Sequence, residues 1–114
     1  MIVTTKYNQT TISKKVSLTG VGLHTGKDVT ITFYPSTPNT GYIFKRIDLD
    51  NQPVVEADIN YVTNTERGTC LNKNGIIIQT CEHVLASLVG LEIDNVLIEL
   101  DASEPPIMDG SSKY

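Results

Sequence analysis

The sequence predicts an α+β domain, a β-rich sheet with one packed helix, and three observations carry that reading. Short segments rich in β-branched residues fill the first three-quarters of the chain, punctuated by Gly, Pro and Asn-Gly turn chemistry. A single window, from about Thr80 to Leu91, has helical spacing. An apolar segment, Asn95 to Leu100, follows that window and reads as a buried strand. The 114 residues amount to one domain. A chain of this size buries roughly two-thirds of its unfolded surface and builds a core without staples.

Thr10 to Leu18 opens the strand pattern, with Val16 and Leu18 alternating against polar neighbours. A glycine-dense turn follows, Gly20-Val21-Gly22-Leu23-His24-Thr25-Gly26. From Val29 to Tyr34 the alternation is clean: Val29, Ile31 and Phe33 share one face, Thr30 and Thr32 the other. Pro35 and Pro38 close it. Tyr42-Ile43-Phe44 is a third strand and Val54 to Ile59 a weaker fourth. Thr69 to Lys73 and Ile76 to Gln79 form a hairpin, because Asn74-Gly75 supplies the positive φ angles of a type I′ turn.

The helix follows directly. Cys81, Val84, Leu85, Leu88 and Leu91 make one apolar stripe, with Thr80 as the expected N-cap and Gly90 near the C-terminal end. After the last strand, Glu104-Pro105-Pro106 ends the sheet and Ile107 to Gly110 forms a turn. Asp109-Gly110-Ser111-Ser112 then reads as a turn and the N-cap of a second helix that Tyr114 cuts short, so residues 1–114 read as a domain incomplete at its C-terminal end.

Composition excludes several classes. The net charge of −4 argues against a nucleic-acid partner held by phosphate neutralisation. The longest strongly apolar run is Ile76-Ile77-Ile78, far short of a transmembrane segment. The first residues lack a basic and apolar leader, so a cytoplasmic location is expected. Cys70 and Cys81 lie eleven apart, form no Cys-x-x-Cys pair, and are expected to be free thiols within the fold.

Chemistry concentrates at few positions. Glu82 and His83 open the helix, where the macrodipole favours a carboxylate and a neutral imidazole. Adjacent helical residues point in different directions, so on spacing alone Glu82 merely complements the dipole and His83 packs or faces solvent. No second histidine follows His83 at i+4. His24 is the other histidine, in a turn whose glycines permit close approach but miss the G-x-G-x-x-G spacing of a dinucleotide site. A catalytic zinc takes three protein ligands, so the residues alone support half of a metal site at most.

Five segments, taken in order, carry a resemblance. They are Gly20 to Gly26, Thr69-Cys70-Leu71, Glu82-His83-Val84-Leu85-Ala86-Ser87-Leu88, Gly90-Leu91-Glu92-Ile93-Asp94-Asn95 and Pro106-Ile107-Met108-Asp109-Gly110-Ser111. Together they resemble the N-terminal half of the UDP-3-O-acyl-N-acetylglucosamine deacetylases, zinc enzymes of bacterial lipid A synthesis. The resemblance implies two similar α/β sandwich domains, of a kind shared with ribosomal and nucleotide-binding proteins, with the active site between them. It implies a small accessory sheet beside that site. It also implies Zn2+ as cofactor, His83 as a zinc ligand, Glu82 as general base and a UDP-linked acylated amino sugar as substrate. His24 is the candidate substrate-binding residue of the matched glycine turn. The remaining ligands, a His and an Asp, and a second catalytic His are expected in a C-terminal domain beyond residue 114, which leaves this chain inactive alone. Thr65-Glu66-Arg67-Gly68 departs from the Met, Ser or Cys usual there, so no substrate contact is assigned to it. The rival reading is a non-catalytic nucleotide- or partner-binding module of the same fold.

Overall fold

The apolar segment after the helix becomes the centre of the sheet. In a computed structural model, which describes residues 2–4, 9–66 and 68–107, the elements run in this order. They are β1 (Ile2–Thr4), β2 (Thr10–Ile12), β3 (Val16–Val21), β4 (Asp28–Pro35), β5 (Tyr42–Arg46), β6 (Val54–Glu56), a 3-10 turn at Ile59–Tyr61, β7 (Val62–Thr65), β8 (Gly68–Lys73), β9 (Ile76–Ile78), α1 (Glu82–Gly90) and β10 (Val96–Leu100). Five strands form one sheet in the order β3-β4-β10-β5-β6, with β10 antiparallel to β4 and parallel to β5. A three-stranded sheet, β7-β8-β9, lies in the connection before the helix, and β1 pairs with β2.

Register turns the alternation into two faces. Phe33, Ile98 and Phe44 oppose one another across three strands, as do Ile31, Leu100 and Arg46. The apolar members of these rows are buried against Val84 and Leu88 of α1 and Leu71 and Ile78 of the small sheet. Each such side chain contributes roughly 1.5–3 kcal/mol on burial. The opposite face is polar: Ser17 bonds Thr32 at 3.0 Å, Thr19 bonds Thr30 at 3.1 Å, and the Tyr34 hydroxyl donates to Glu99 at 3.1 Å.

The α+β class stands, as do the strand from Val29 to Tyr34, the helix stripe and the hairpin, whose Asn74 and Gly75 have φ of +53° and +87°. Cys70 and Cys81 are buried free thiols. Four details differ. The Thr10 to Leu18 segment splits into β2 and β3, because Thr10 is anchored by the amides of Asp94 and Asn95 while β3 pairs with β4. The fourth strand stops at Glu56, where the Asp58 carboxylate accepts from Asn60 N at 2.8 Å and starts the 3-10 turn. Strand β7, Val-Thr-Asn-Thr, went unread because one apolar residue makes no alternation. Gly90 is the last residue of the helix, at the C-terminal end as expected, but the left-handed closing position is not a glycine: Glu92 adopts φ +59° and its N–H reaches Val89 O, while Ile93 N–H reaches Leu88 O. That is a Schellman closure with Glu92 in the glycine position. The expected turn through Gly110 and the truncated second helix fall mostly on residues 108–114, outside the described residues.

Candidate active site

Helix α1 begins where two segments of the chain grip it from opposite sides. On one side is the start of β8. Thr69 O accepts from Cys81 N at 3.0 Å, and Thr69 N donates to Glu82 Oε2 at 3.1 Å. The Glu82 carboxylate lies over Gly68, so closely that a Cβ there would be 2.5 Å from Oε1. Gly68 has φ +111°, a region open to glycine. Glu82 is thus half-buried, with one oxygen tied to the small sheet and the carboxylate beside the positive end of the helix. Burial pushes the neighbouring Cys81 thiol up to about 11, with the Glu82 charge adding to it, so Cys81 stays protonated and inert.

His83 turns the other way, as adjacency on a helix requires. It is exposed and borders a cavity of about 80 Å³ with Leu23, Val84, Pro106 and Ile107. Behind that cavity lies Glu104, which is only 1% exposed. Its Oε1 accepts from His24 N at 2.9 Å and Thr25 N at 3.0 Å, and its Oε2 accepts from Thr80 Oγ1 at 2.8 Å. Burial acts to raise the Glu104 pKa, but the bonds from Thr25, Thr80 and His24 outweigh it and hold the carboxyl below its ordinary range. Thr80 is therefore not the N-cap. Cys81 occupies that position without a side-chain cap bond, because the Thr80 hydroxyl is committed to Glu104 and its backbone has φ +50°.

His24 is exposed on the glycine turn, and it is its backbone N–H that joins this network. The structure therefore brings Glu82 and His83 to one helix end and ties the His24 turn to it through Glu104. Sequence reasoning missed Glu104, Thr69 and Gly68. Glu104 was read only as part of a strand-ending Glu-Pro-Pro, since its donors lie 24 to 80 residues away. A second groove, of about 450 Å³, runs along the outer face of β7-β8-β9 past Thr63, Cys70 and Ile77. Among the described residues, no three His, Cys, Asp or Glu side chains are gathered as a metal cluster. None of the described helices is long and apolar enough to cross a membrane.

A profile of UDP-3-O-acyl N-acetylglycosamine deacetylases matches residues 9–114. The chain belongs to this family. It is 47% identical over 106 residues to a UDP-3-O-acyl-N-acetylglucosamine deacetylase of Myxococcus xanthus, covering 93% of this chain and 34% of that protein. It is 50% identical over 105 residues to the bifunctional enzyme LpxC/FabZ of Chlorobaculum tepidum, covering 92% of this chain and 22% of that protein. The same figure, 50% over 106 residues, holds for the bifunctional enzyme LpxC/FabZ of Bacteroides thetaiotaomicron, with 93% and 23% covered. The chain thus spans about a third of the deacetylase relative and under a quarter of the bifunctional ones. Within this deacetylase family match lie all three candidate residues, His24, Glu82 and His83.

Proposed function

We propose that this chain is the N-terminal domain of a zinc-dependent deacetylase that removes the N-acetyl group from UDP-3-O-(3-hydroxyacyl)-N-acetylglucosamine, in cytoplasmic lipid A synthesis. The observation that carries the reading is the start of α1, where a tethered carboxylate and an exposed imidazole occupy consecutive positions in a chain of this family. The donor set fits one corner of a zinc site. His83 is an exposed imidazole at the start of α1, and an imidazole nitrogen is a usual zinc ligand. A catalytic zinc takes three protein ligands, and the other two are assigned to the remainder of the longer protein. The cavity beside His83, about 80 Å³, is likewise well below the roughly 300 Å³ of a small-molecule site, which supports a pocket completed by that second domain.

When bound, zinc would polarise the acetamide carbonyl and lower the pKa of a coordinated water. Glu82 takes the proton of the attacking water. The Thr69 N–H bond to Oε2 orients the carboxylate, and the missing Cβ at Gly68 leaves Oε1 room. The first amides of α1 supply a fixed positive potential for the developing negative charge. His24, on its exposed turn, contacts the substrate.

Two substitutions in the full-length protein test this. Glu82→Gln keeps the shape and removes the proton acceptor, so zinc content stays near that of the parent while single-turnover deacetylation slows roughly a hundredfold to ten-thousandfold. His83→Ala removes a ligand and lowers zinc content together with turnover. Elemental analysis beside single-turnover kinetics reads both. Zinc loss in Glu82→Gln, or full zinc retention in His83→Ala, assigns the two roles wrongly, and a parent protein without deacetylation overturns the reading itself.

A further inference from the structure

We propose that Glu104 is a positioning residue that locks the His24 turn and the entry of α1 into one rigid unit. The inference deepens the deacetylase reading and rests on it for the kinetic part of its test. The segment from Ser103 to Ile107 runs between the glycine turn and the residues leading into the helix. Gln79 N donates to Ser103 O at 2.7 Å, Gln79 Nε2 to Ser103 Oγ at 3.0 Å, and Ile107 N to Val21 O at 2.8 Å. Pro106 bridges to Gly22. From this strap the Glu104 carboxylate projects inward and is buried at 1% exposure.

Each of its oxygens holds a different part of the site. Oε1 takes the two turn amides, His24 N and Thr25 N, and Oε2 takes the Thr80 hydroxyl. Gly22 makes room for it, since a Cβ there would lie 2.6 Å from Oε1. Thr80 is the telling partner. A β-branched residue at φ +50° is a genuine outlier, and such strain persists only where surrounding contacts enforce it. Here the bond from its own hydroxyl to Glu104 is such a contact, two residues before Glu82 and three before His83. The Thr80 backbone angle sets the direction in which α1 leaves β9, and so the direction of both side chains. A carboxylate that merely satisfied stray donors would have no reason to hold a strained residue on one oxygen and the opposing turn on the other.

The test uses the full-length protein, with Glu104→Gln, Thr80→Gly and the two combined. Glu104→Gln keeps the volume but removes the charge that the two turn amides face. In nitrogen-resolved NMR spectra the His24 and Thr25 amide protons move upfield, a readout that needs no activity. In kinetics, kcat falls about tenfold or more with KM within about threefold of the parent, at temperatures well below the thermal midpoint. Glycine adopts the left-handed angle freely, so adding Thr80→Gly to Glu104→Gln recovers at least about threefold of kcat at temperatures where both variants are fully folded. Unmoved His24 and Thr25 amides overturn the proposal. So does a kcat loss that only tracks the folded fraction, or a double variant no better than Glu104→Gln. A parent that does not deacetylate would fail the functional reading alone, and the amide shifts would then decide this one.

Discussion

At the scale of single residues, the candidate site depends on places where an atom is missing. Gly68 is one. A methyl group there meets Glu82 Oε1 at 2.5 Å, and the flexible end of Glu82 is what gives way. Gly68→Ala should therefore displace the carboxylate from its bond with Thr69 N. Its φ of +111° adds a backbone cost of about 1–3 kcal/mol. The expected outcome is a lower thermal midpoint and, in the folded full-length protein, a kcat reduced about tenfold or more with KM little changed. Steady-state kinetics beside calorimetry check it, and an unchanged kcat would show that Glu82 does not work from this position. The Glu-His pair was legible in the sequence because it is contiguous. The Gly68 contact was not, since a glycine just before the strand expected from Thr69 to Lys73 gives no sign of what lies over it.

At the scale of elements, the helix shows how far local signals reach. Its apolar stripe fixed its existence and its buried face, and Val84 and Leu88 are buried as that spacing requires. How its two ends are closed is not visible in the sequence for one reason: each is closed by a distant or unfavourable partner. Thr80 looked like a cap, yet its hydroxyl bonds Glu104, 24 residues on. Gly90 is the last helical residue, as its position suggests, yet the left-handed closing position falls to Glu92 at φ +59°. A glutamate there carries a cost that glycine avoids, so Glu92→Gly should stabilise the chain by about 0.5–1 kcal/mol, net of the added freedom of the unfolded state. The Ile93 to Leu88 bond and the burial of both side chains are untouched by the change. A raised urea midpoint at constant slope is the expected reading, whereas a lowered midpoint would mean that the Glu92 side chain contributes more than its backbone angle costs. Strands follow the same logic. Val29 to Tyr34 was legible from alternation, but the division of Thr10 to Leu18 depends on the Asp94 and Asn95 amides, some 84 residues away.

At the scale of the whole molecule, two carboxylates, the buried Glu104 and the exposed Asp48, tie separate parts together. Arg46 in the large sheet holds Asp48 through two bonds, at 2.9 and 2.7 Å, and donates to Ile77 O of the small sheet at 3.0 Å. The Arg46 guanidinium holds the Asp48 pKa low, as the amide and hydroxyl donors hold that of Glu104. A carboxylate with a depressed folded pKa stabilises the fold fully above its unfolded value, and the contribution is lost as pH falls through the folded value. Stability should thus decline below about pH 5 because the unfolded state binds more protons there. Urea unfolding should show that decline flattened in Asp48→Asn and in Glu104→Gln, and an unaltered slope in both would remove these groups from the account. Metal binding is the other whole-molecule property. The sequence holds two histidines and two cysteines, and both cysteines are buried thiols. Glu82 is engaged with Thr69 N, His24 enters its network through the backbone, and the described residues gather no triad of ligands. Two exposed imidazoles without a third ligand gathered beside them cannot satisfy a tetrahedral ion, so the 114-residue chain by itself should bind zinc with a dissociation constant above roughly 10 μM. Equilibrium dialysis with zinc decides the point. Weak binding that vanishes in His83→Ala places one ligand on this chain and the others elsewhere in the protein, whereas tight stoichiometric binding by a monomer would mean that this domain carries a complete metal site of its own.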